Sequence, residues 1–311
     1  MKEIGGYFEL ESAPHPPFHP GAVALNSGRN ALRYIIRTYQ IREMFVPRYT
    51  CPVVFDALEA EQCSVKLYSL NSTLVPEAGP DALASGYFLY TNYFGVCGTI
   101  SSSLEQKAAN LIVDQAQAFY APPRGIASFY SPRKFFGLPD GGLALTKRTG
   151  NLNLDKDQSY ERCAHLLKRH DLTASAGYPD FQHNDETLAH QPVKHMSGLT
   201  QALMSSIDYA GARRKRLENF EILHNKLEPV NEFKFNCAAK DVPLAYPLLI
   251  RSETLRKKLI ASKIYVASYW PGSEAFCPPG SVERYMQQYM LPLPIDQRYG
   301  PEEMKFILEQ L

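Results

Sequence analysis

The sequence predicts an α/β protein: a three-layer large domain on a mostly parallel sheet over 1–210, then a smaller C-terminal α+β domain over 211–311. Three observations lead there. Short apolar runs alternate with amphipathic stretches up to residue 147, as strands joined by crossover helices do. Some runs, such as LIVD, are apolar almost throughout, which marks strands covered on both faces. After a long helical stretch the pattern changes to a strand, a helix, a strand and a closing helix.

In chain order, AVAL (22–25) reads as a strand, and Leu32, Ile35, Ile36 and Tyr39 give 29–39 the spacing of an amphipathic helix. MFVP (44–47) is a strand. PVVFDALEAE (52–61) is a helix with proline in its first turn. SVKLYSL (64–70) and GYFLYTN (86–92) are strands, SLEQKAAN (103–110) a helix and LIVD (111–114) a strand. IASFYS (126–131) and GLALTK (142–147) are further strands. From Thr149 to His195 the chain is polar and irregular, including GYPDFQHNDE, and is expected to form loops and short helices. One long helix is expected over 198–227, weakened at Gly211. Its run Arg213–Arg216 reads as a solvated helix face, with an anion site as the alternative. YPLLI (246–250) is a strand, SETLRKKLIASK (252–263) a helix, IYVAS (264–268) a strand and PEEMKFILEQL (301–311) a helix.

Composition narrows the function. A chain of 311 residues, 45% hydrophobic, can bury a large core, and a net charge of +1 argues against a nucleic-acid binder. No apolar run is long enough for a membrane span. The N-terminus carries glutamates where a secretion signal needs an apolar core, so a cytoplasmic protein is expected. The six cysteines form no CxxC pair and read as reduced, structural thiols. The histidines lack HExxH spacing, so no metal is expected.

The chemistry concentrates in three places. In SFYSPRKFFGLPDGG (128–142), Lys134 sits among aromatics and before the pair Gly141–Gly142. It reads either as a snorkelling lysine or as an amine freed to react by desolvation. In LNSGRNAL, Ser27 and Gly28 lie between a strand and a helix, where N–H groups can meet a phosphate; an ordinary helix cap is the plainer reading. In LIVDQAQAF, Asp114 ends a buried strand, where α/β proteins meet ligands; a helix cap or a surface aspartate is the plainer reading. Pyridoxal 5′-phosphate needs all three: a lysine, a carboxylate for its ring nitrogen and donors for its phosphate.

These blocks, with VPRYTCPVVFDAL, TNYFG, MSGLTQALMSSIDYAGARRKR and LPLPID, resemble the DegT-type nucleotide-sugar aminotransferases, in the same order and over most of the chain. The resemblance implies fold type I of the pyridoxal-phosphate enzymes, aspartate-aminotransferase-like. It implies transfer of an amino group from an amino acid to a keto-sugar, nucleotide-linked, in sugar biosynthesis. It implies Lys134 as the Schiff-base lysine, Asp114 at the pyridine nitrogen, and Gln117 at the ring or its 3′-oxygen. Ser27, Gly28 and Arg29 would lie at the phosphate, with Ser128 or Ser131 as a hydroxyl donor.

A homodimer with its site at the interface is also implied, with 191–197 reaching the neighbour. There Val193 and His195 stand where the family has Asn and Arg, and Lys194 or His195 would substitute as the cation. Cys51 stands where an aromatic often covers the ring, which leaves Tyr49 or Tyr93 for stacking. Sibling dehydratases of the family carry histidine in place of the lysine, so Lys134 ranks that reading lower. A non-catalytic member that senses a ligand or binds a partner is the other alternative. For the acceptor, Tyr93, Tyr269 and Trp270 are expected to shape a roomy sugar pocket. Arg29, Arg48, Arg124 and Arg133 read as helix-start or loop residues, which leaves Arg284 as the remaining carboxylate clamp to consider.

Overall fold

The computed structural model describes residues 6–238 and 240–311. β1 (Val23–Leu25) turns at Ser27 into α1 (Gly28–Tyr39), where Ser27 Oγ accepts from Asn30 N at 3.1 Å and starts the helix. β2 (Glu43–Pro47), α2 (Pro52–Ala60) and β3 (Ser64–Leu70) come next, then the short β4 (Pro76–Glu77) and α3 (Pro80–Ala84). β5 (Tyr87–Thr91), α4 (Gly98–Glu105), β6 (Asn110–Asp114), β7 (Ala127–Tyr130) and β8 (Gly142–Thr146) complete the sheet region.

The eight strands are ordered β1-β8-β7-β6-β5-β2-β3-β4. The run β3-β2-β5-β6-β7 is parallel; β8 is antiparallel to both β7 and β1. β1 therefore runs the same way as β7. The carboxyl ends of β1, β2, β5, β6 and β7 and the start of β8 all meet at one edge. Side chains alternate as strands buried on both faces require. Leu89 and Ile112 join the cluster under α1 and α2. Phe88, Tyr90, Leu111 and Val113 face the opposite cluster, shared with the C-terminal region.

α5 (Ala164–Asp171) and α6 (Ala174–Ala189) form a helical hairpin, followed by α7 (Gly198–Ser205) and α8 (Tyr209–Leu227). β9 (Ala245–Leu249), α9 (Leu255–Ala261), α10 (Val282–Tyr289), β10 (Met290–Pro294) and α11 (Pro301–Glu309) close the chain. β9 and β10 pair antiparallel. Leu223 of α8, Tyr246 of β9 and Leu293 of β10 share the cluster on the sheet's second face.

Four expectations are corrected. The helix expected at 103–110 starts earlier, at Gly98, and ends at Glu105. GYPDFQHNDE lies inside the 16-residue α6; Thr173 caps that helix, and Pro179 does not end it. The single helix over 198–227 is two. The break falls at Ser206–Asp208, because Asp208 Oδ1 accepts from Gly211 N at 2.8 Å and begins a new helix. IYVAS is no strand. Ile264 and Val266 are buried and Tyr265 exposed, as a strand would have it, but Arg256 takes the carbonyls of Val266 and Ala267 in place of a partner strand. Among the described residues no helix is long and apolar enough to cross a membrane, and no cluster of metal-ligating side chains occurs.

Candidate functional site

A cavity of about 220 Å³ opens where the strand ends meet. β1 and α1 bring Ser27, Gly28 and Arg29, β6 brings Asp114, and the turn after β7 brings Ser131, Arg133 and Lys134. α2 adds Val53 and Val54, preceded by Cys51; α6 closes the outer wall with Asp185, Leu188 and Ala189.

The glycines shape this site. Gly142 starts β8 against the Ser27–Gly28 turn, and any Cβ there would collide with the Ser27 carbonyl. Gly141 takes φ +120°, a conformation side chains disfavour. A Cβ at Gly28 would sit 3.1 Å from Ser131 Cβ and narrow the cavity. The first N–H groups of α1 have no partner within the helix, and Ser27 caps that of Asn30. Gly28 and Arg29, the first residues of that helix, line the cavity.

Asp114 is 5% exposed, and its Oδ1 accepts from Ala116 N at 2.8 Å. Burial pushes its carboxyl up; the Lys134 charge and that hydrogen bond act the other way without cancelling the rise. Lys134 ends the turn Pro132–Lys134, with Phe135 and Phe136 buried behind it. Its side chain is exposed to the cavity rather than desolvated, so the expected apolar enclosure ends at its neighbours. Lys134 and Asp114 face the same cavity without pairing with each other. Cys51 lies close enough to feel both charges, and burial pushes its thiol up.

Other expected residues stand elsewhere. Ser128 is fully buried and holds the Arg124 backbone, accepting from its N at 2.9 Å and donating to its O at 3.0 Å. The cavity hydroxyl after β7 is therefore Ser131. Gln117 lies behind the wall, where Oε1 accepts from Phe94 N and Nε2 is buried without a partner. Tyr49 and Tyr93 do not face the cavity. Their rings stack on each other at 5.7 Å in the core, and their hydroxyls donate to the carbonyls of Tyr269 and Tyr49. Trp270 likewise packs on Tyr49 and Tyr93 in that core and does not line the cavity.

Segment 191–197 is tied into its own chain: Lys194 O accepts from Asn26 N, Met196 N donates to Ala24 O, and Val193 and Met196 are buried. Lys194 pairs with Asp157 at 3.5 Å. The two arginines on the cavity are engaged. Arg29 donates to Ala189 O and approaches Asp56 at 3.8 Å, and Arg133 meets Asp185 at 3.2 Å. A larger cavity, about 410 Å³, lies across α6, but its buried carboxylate, Asp157, is already bound by Arg162 at 2.8 Å and by Lys194. Sequence reading missed the α6 wall. The Thr173 cap was its available signal, masked by Pro179 and a mostly polar stretch.

No family model matches this sequence, and no curated protein matches it. Solved structures do. DesV of S. venezuelae, solved in complex with a ketimine intermediate, is 18% identical with a TM-score of 0.62; the match covers 93% of this chain and 83% of that one. A DegT DnrJ EryC1 StrS aminotransferase from Brucella abortus is 14% identical with a TM-score of 0.59, covering 93% and 84%. The E coli GDP-4-keto-6-deoxy-D-mannose-3-dehydratase with bound hydrated PLP is 15% identical with a TM-score of 0.63, covering 93% and 87%. At such identities the likeness is one of fold, and it agrees with the fold type expected from the sequence.

Proposed function

We propose that this chain binds pyridoxal 5′-phosphate at Lys134 and transfers an amino group from an amino acid to a keto-sugar, nucleotide-linked. One observation carries the reading. A lysine amine, a buried strand-end carboxylate and a helix N-terminus with two serines line one cavity of about 220 Å³. The donor set fits the cofactor: N–H groups and hydroxyls for a dianion, a carboxylate for a ring N–H, and an amine for an aldehyde.

Ser27, Ser131 and the N–H groups of Gly28 and Arg29 would hold the phosphate. Asp114, fixed by Ala116 N, would hold the ring-nitrogen proton; an opposite charge there favours the ionised carboxylate that burial alone disfavours. When bound, the cofactor supplies an electron sink for a substrate losing its Cα proton. The Lys134 amine is the group on this cavity suited to carry that proton. Leu32, Val53, Val54 and Leu188 contribute apolar lining to the cavity.

The sugar acceptor is supported by the arginines. Both on the cavity are engaged by other groups, which leaves neither as a free fork for a second carboxylate. A dehydratase is the sibling reading, since a dehydratase shares the fold; the lysine at 134 favours amino transfer. A homodimer belongs to the same proposal, and light scattering tests it: a strictly monomeric active species would remove it. The function test is a half-reaction. Protein loaded with pyridoxamine 5′-phosphate should regain its visible band with a nucleotide-linked keto-sugar. A return with small 2-oxo acids alone, across a broad sugar panel, would count against the acceptor and spare the cofactor.

A further inference from the structure

The run Arg213–Arg216, expected to be a solvated face, breaks that expectation at its last member. Arg216 is 1% exposed. No carboxylate among the described residues pairs with it. A buried cation without a directly paired counter-ion is expensive and calls for a reason. Burial lowers its pKa to about 10, so it stays charged at neutral pH.

Its partners are carbonyls. Nη1 donates to Leu244 O at 3.1 Å and Nη2 to Phe135 O at 3.3 Å, while the guanidinium lies 4.6 Å from the Phe135 ring centroid. The Phe135 carbonyl, one residue beyond Lys134, takes a second donor, Gln297 Nε2 at 2.8 Å. Asn219, one turn along α8, donates to the carbonyls of Ile295 and Tyr299 and so fixes the loop that carries Gln297. Asp296 of that loop is held by Arg298 at 2.7 Å and acts on Arg216 by charge without pairing with it. The result is a closed triangle of α8, the 295–299 loop and the Lys134 turn.

We propose that Arg216 and Gln297 are positioning residues that clamp the Phe135 carbonyl and thereby aim the Lys134 amine into the cavity. The inference rests on Lys134 as the cofactor lysine. A turn of three residues has few bonds of its own: Lys134 N donates to Ser131 O at 3.1 Å and Phe135 N to Pro132 O at 2.9 Å. Two donors on one carbonyl, one of them a buried guanidinium, supply the missing restraint. The clamp comes from residues more than eighty positions later, so the C-terminal region sets the aim of a lysine on the sheet edge.

The test uses Gln297→Leu, Arg216→Lys and Arg216→Met in the full chain. The first readout is the rate at which pyridoxal 5′-phosphate and borohydride trap Lys134, mapped by peptide mass. The second is hydrogen exchange in the 131–138 peptide, and the third is the melting midpoint. Gln297→Leu should keep its midpoint, trap Lys134 roughly tenfold more slowly and exchange faster at 131–138, because misplacing a reacting group costs rate steeply. Arg216→Lys should lie nearer wild type than Arg216→Met. Wild-type trapping and exchange rates in a folded Gln297→Leu would overturn the clamp. Wild type that is never trapped at Lys134 would sink the cofactor reading instead, and the exchange arm would then decide the clamp alone.

Discussion

The sheet edge from Asn110 to Thr146 and the segment from Tyr160 to His195 border the same cavity, yet different forces shape them. In the first, Leu111, Ile112 and Val113 are fully buried, and the strand delivers Asp114 to a place that packing dictates. In the second, α5 buries only His165, and α6 only Gly177, Asn184 and Leu188. That hairpin is held by polar anchors instead: Asn184 on Pro139 O at 2.7 Å, Arg133 on Asp185, Arg29 on Ala189 O. The floor of the site is built by burial and its wall by side-chain bonds. Floor changes should alter chemistry, and wall changes should alter stability.

The largest expected effect tests the floor. Asp114→Asn should lower turnover about 10³-fold, as loss of a preorganised electrostatic group does. The cofactor-free protein should be no less stable at neutral pH, because a neutral amide avoids the burial penalty that raises the Asp114 pKa. Turnover from initial rates and urea melts of the same preparation check both halves. A variant that unfolds early would make Asp114 structural.

On the wall, Arg162 bridges Asp140 and Asp157 at 2.8 Å each, and both carboxylates are nearly inaccessible. Arg162→Met leaves two buried charges short of a partner and should destabilise the protein by about 3 kcal/mol. An unchanged urea midpoint would show that the wall does not depend on this anchor. Smaller still is Thr173→Ala, which removes the Oγ bond from Ala176 N at 3.1 Å and should cost about 1 kcal/mol. Exchange should quicken in α6 peptides and stay unchanged in β6.

The smallest effect is on acidification. Burial pushes the Asp157 carboxyl up, but Arg162 and Lys194 outweigh it and hold it below the usual carboxylate range. A group with a depressed folded pKa gives stability that is full above about pH 4 and lost as pH falls through the folded value. Asp140, which burial pushes up, contributes the opposite slope at higher pH. Limited proteolysis near residues 155–195 should therefore increase below about pH 4, and Asp157→Asn should flatten that rise.

The same contrast explains what the sequence revealed. LIVD and GLALTK were legible because runs buried on both faces permit few alternatives. Asp114, Lys134, Ser27 and Gly28 were legible because strand ends place them on one edge. α6 was not, since its register depends on carbonyl contacts that no periodicity records, and Pro179 argued against it. Tyr49 and Tyr93 were misplaced for a related reason. An aromatic beside a site motif reads alike whether it faces a cavity or the core, and here their stacking on each other decides it. Arg216 was hidden in a run of four basic residues, where nothing local separates a buried guanidinium from its solvated neighbours.

Lys134 is proposed as the residue that takes the cofactor. The direct measurement is to saturate the full chain with pyridoxal 5′-phosphate, reduce with borohydride and map the added mass by peptide. One dominant adduct is expected on the peptide carrying Lys134, absent in Lys134→Ala while that variant remains folded. An adduct spread over exposed lysines, or one that persists unchanged in Lys134→Ala, would contradict that assignment.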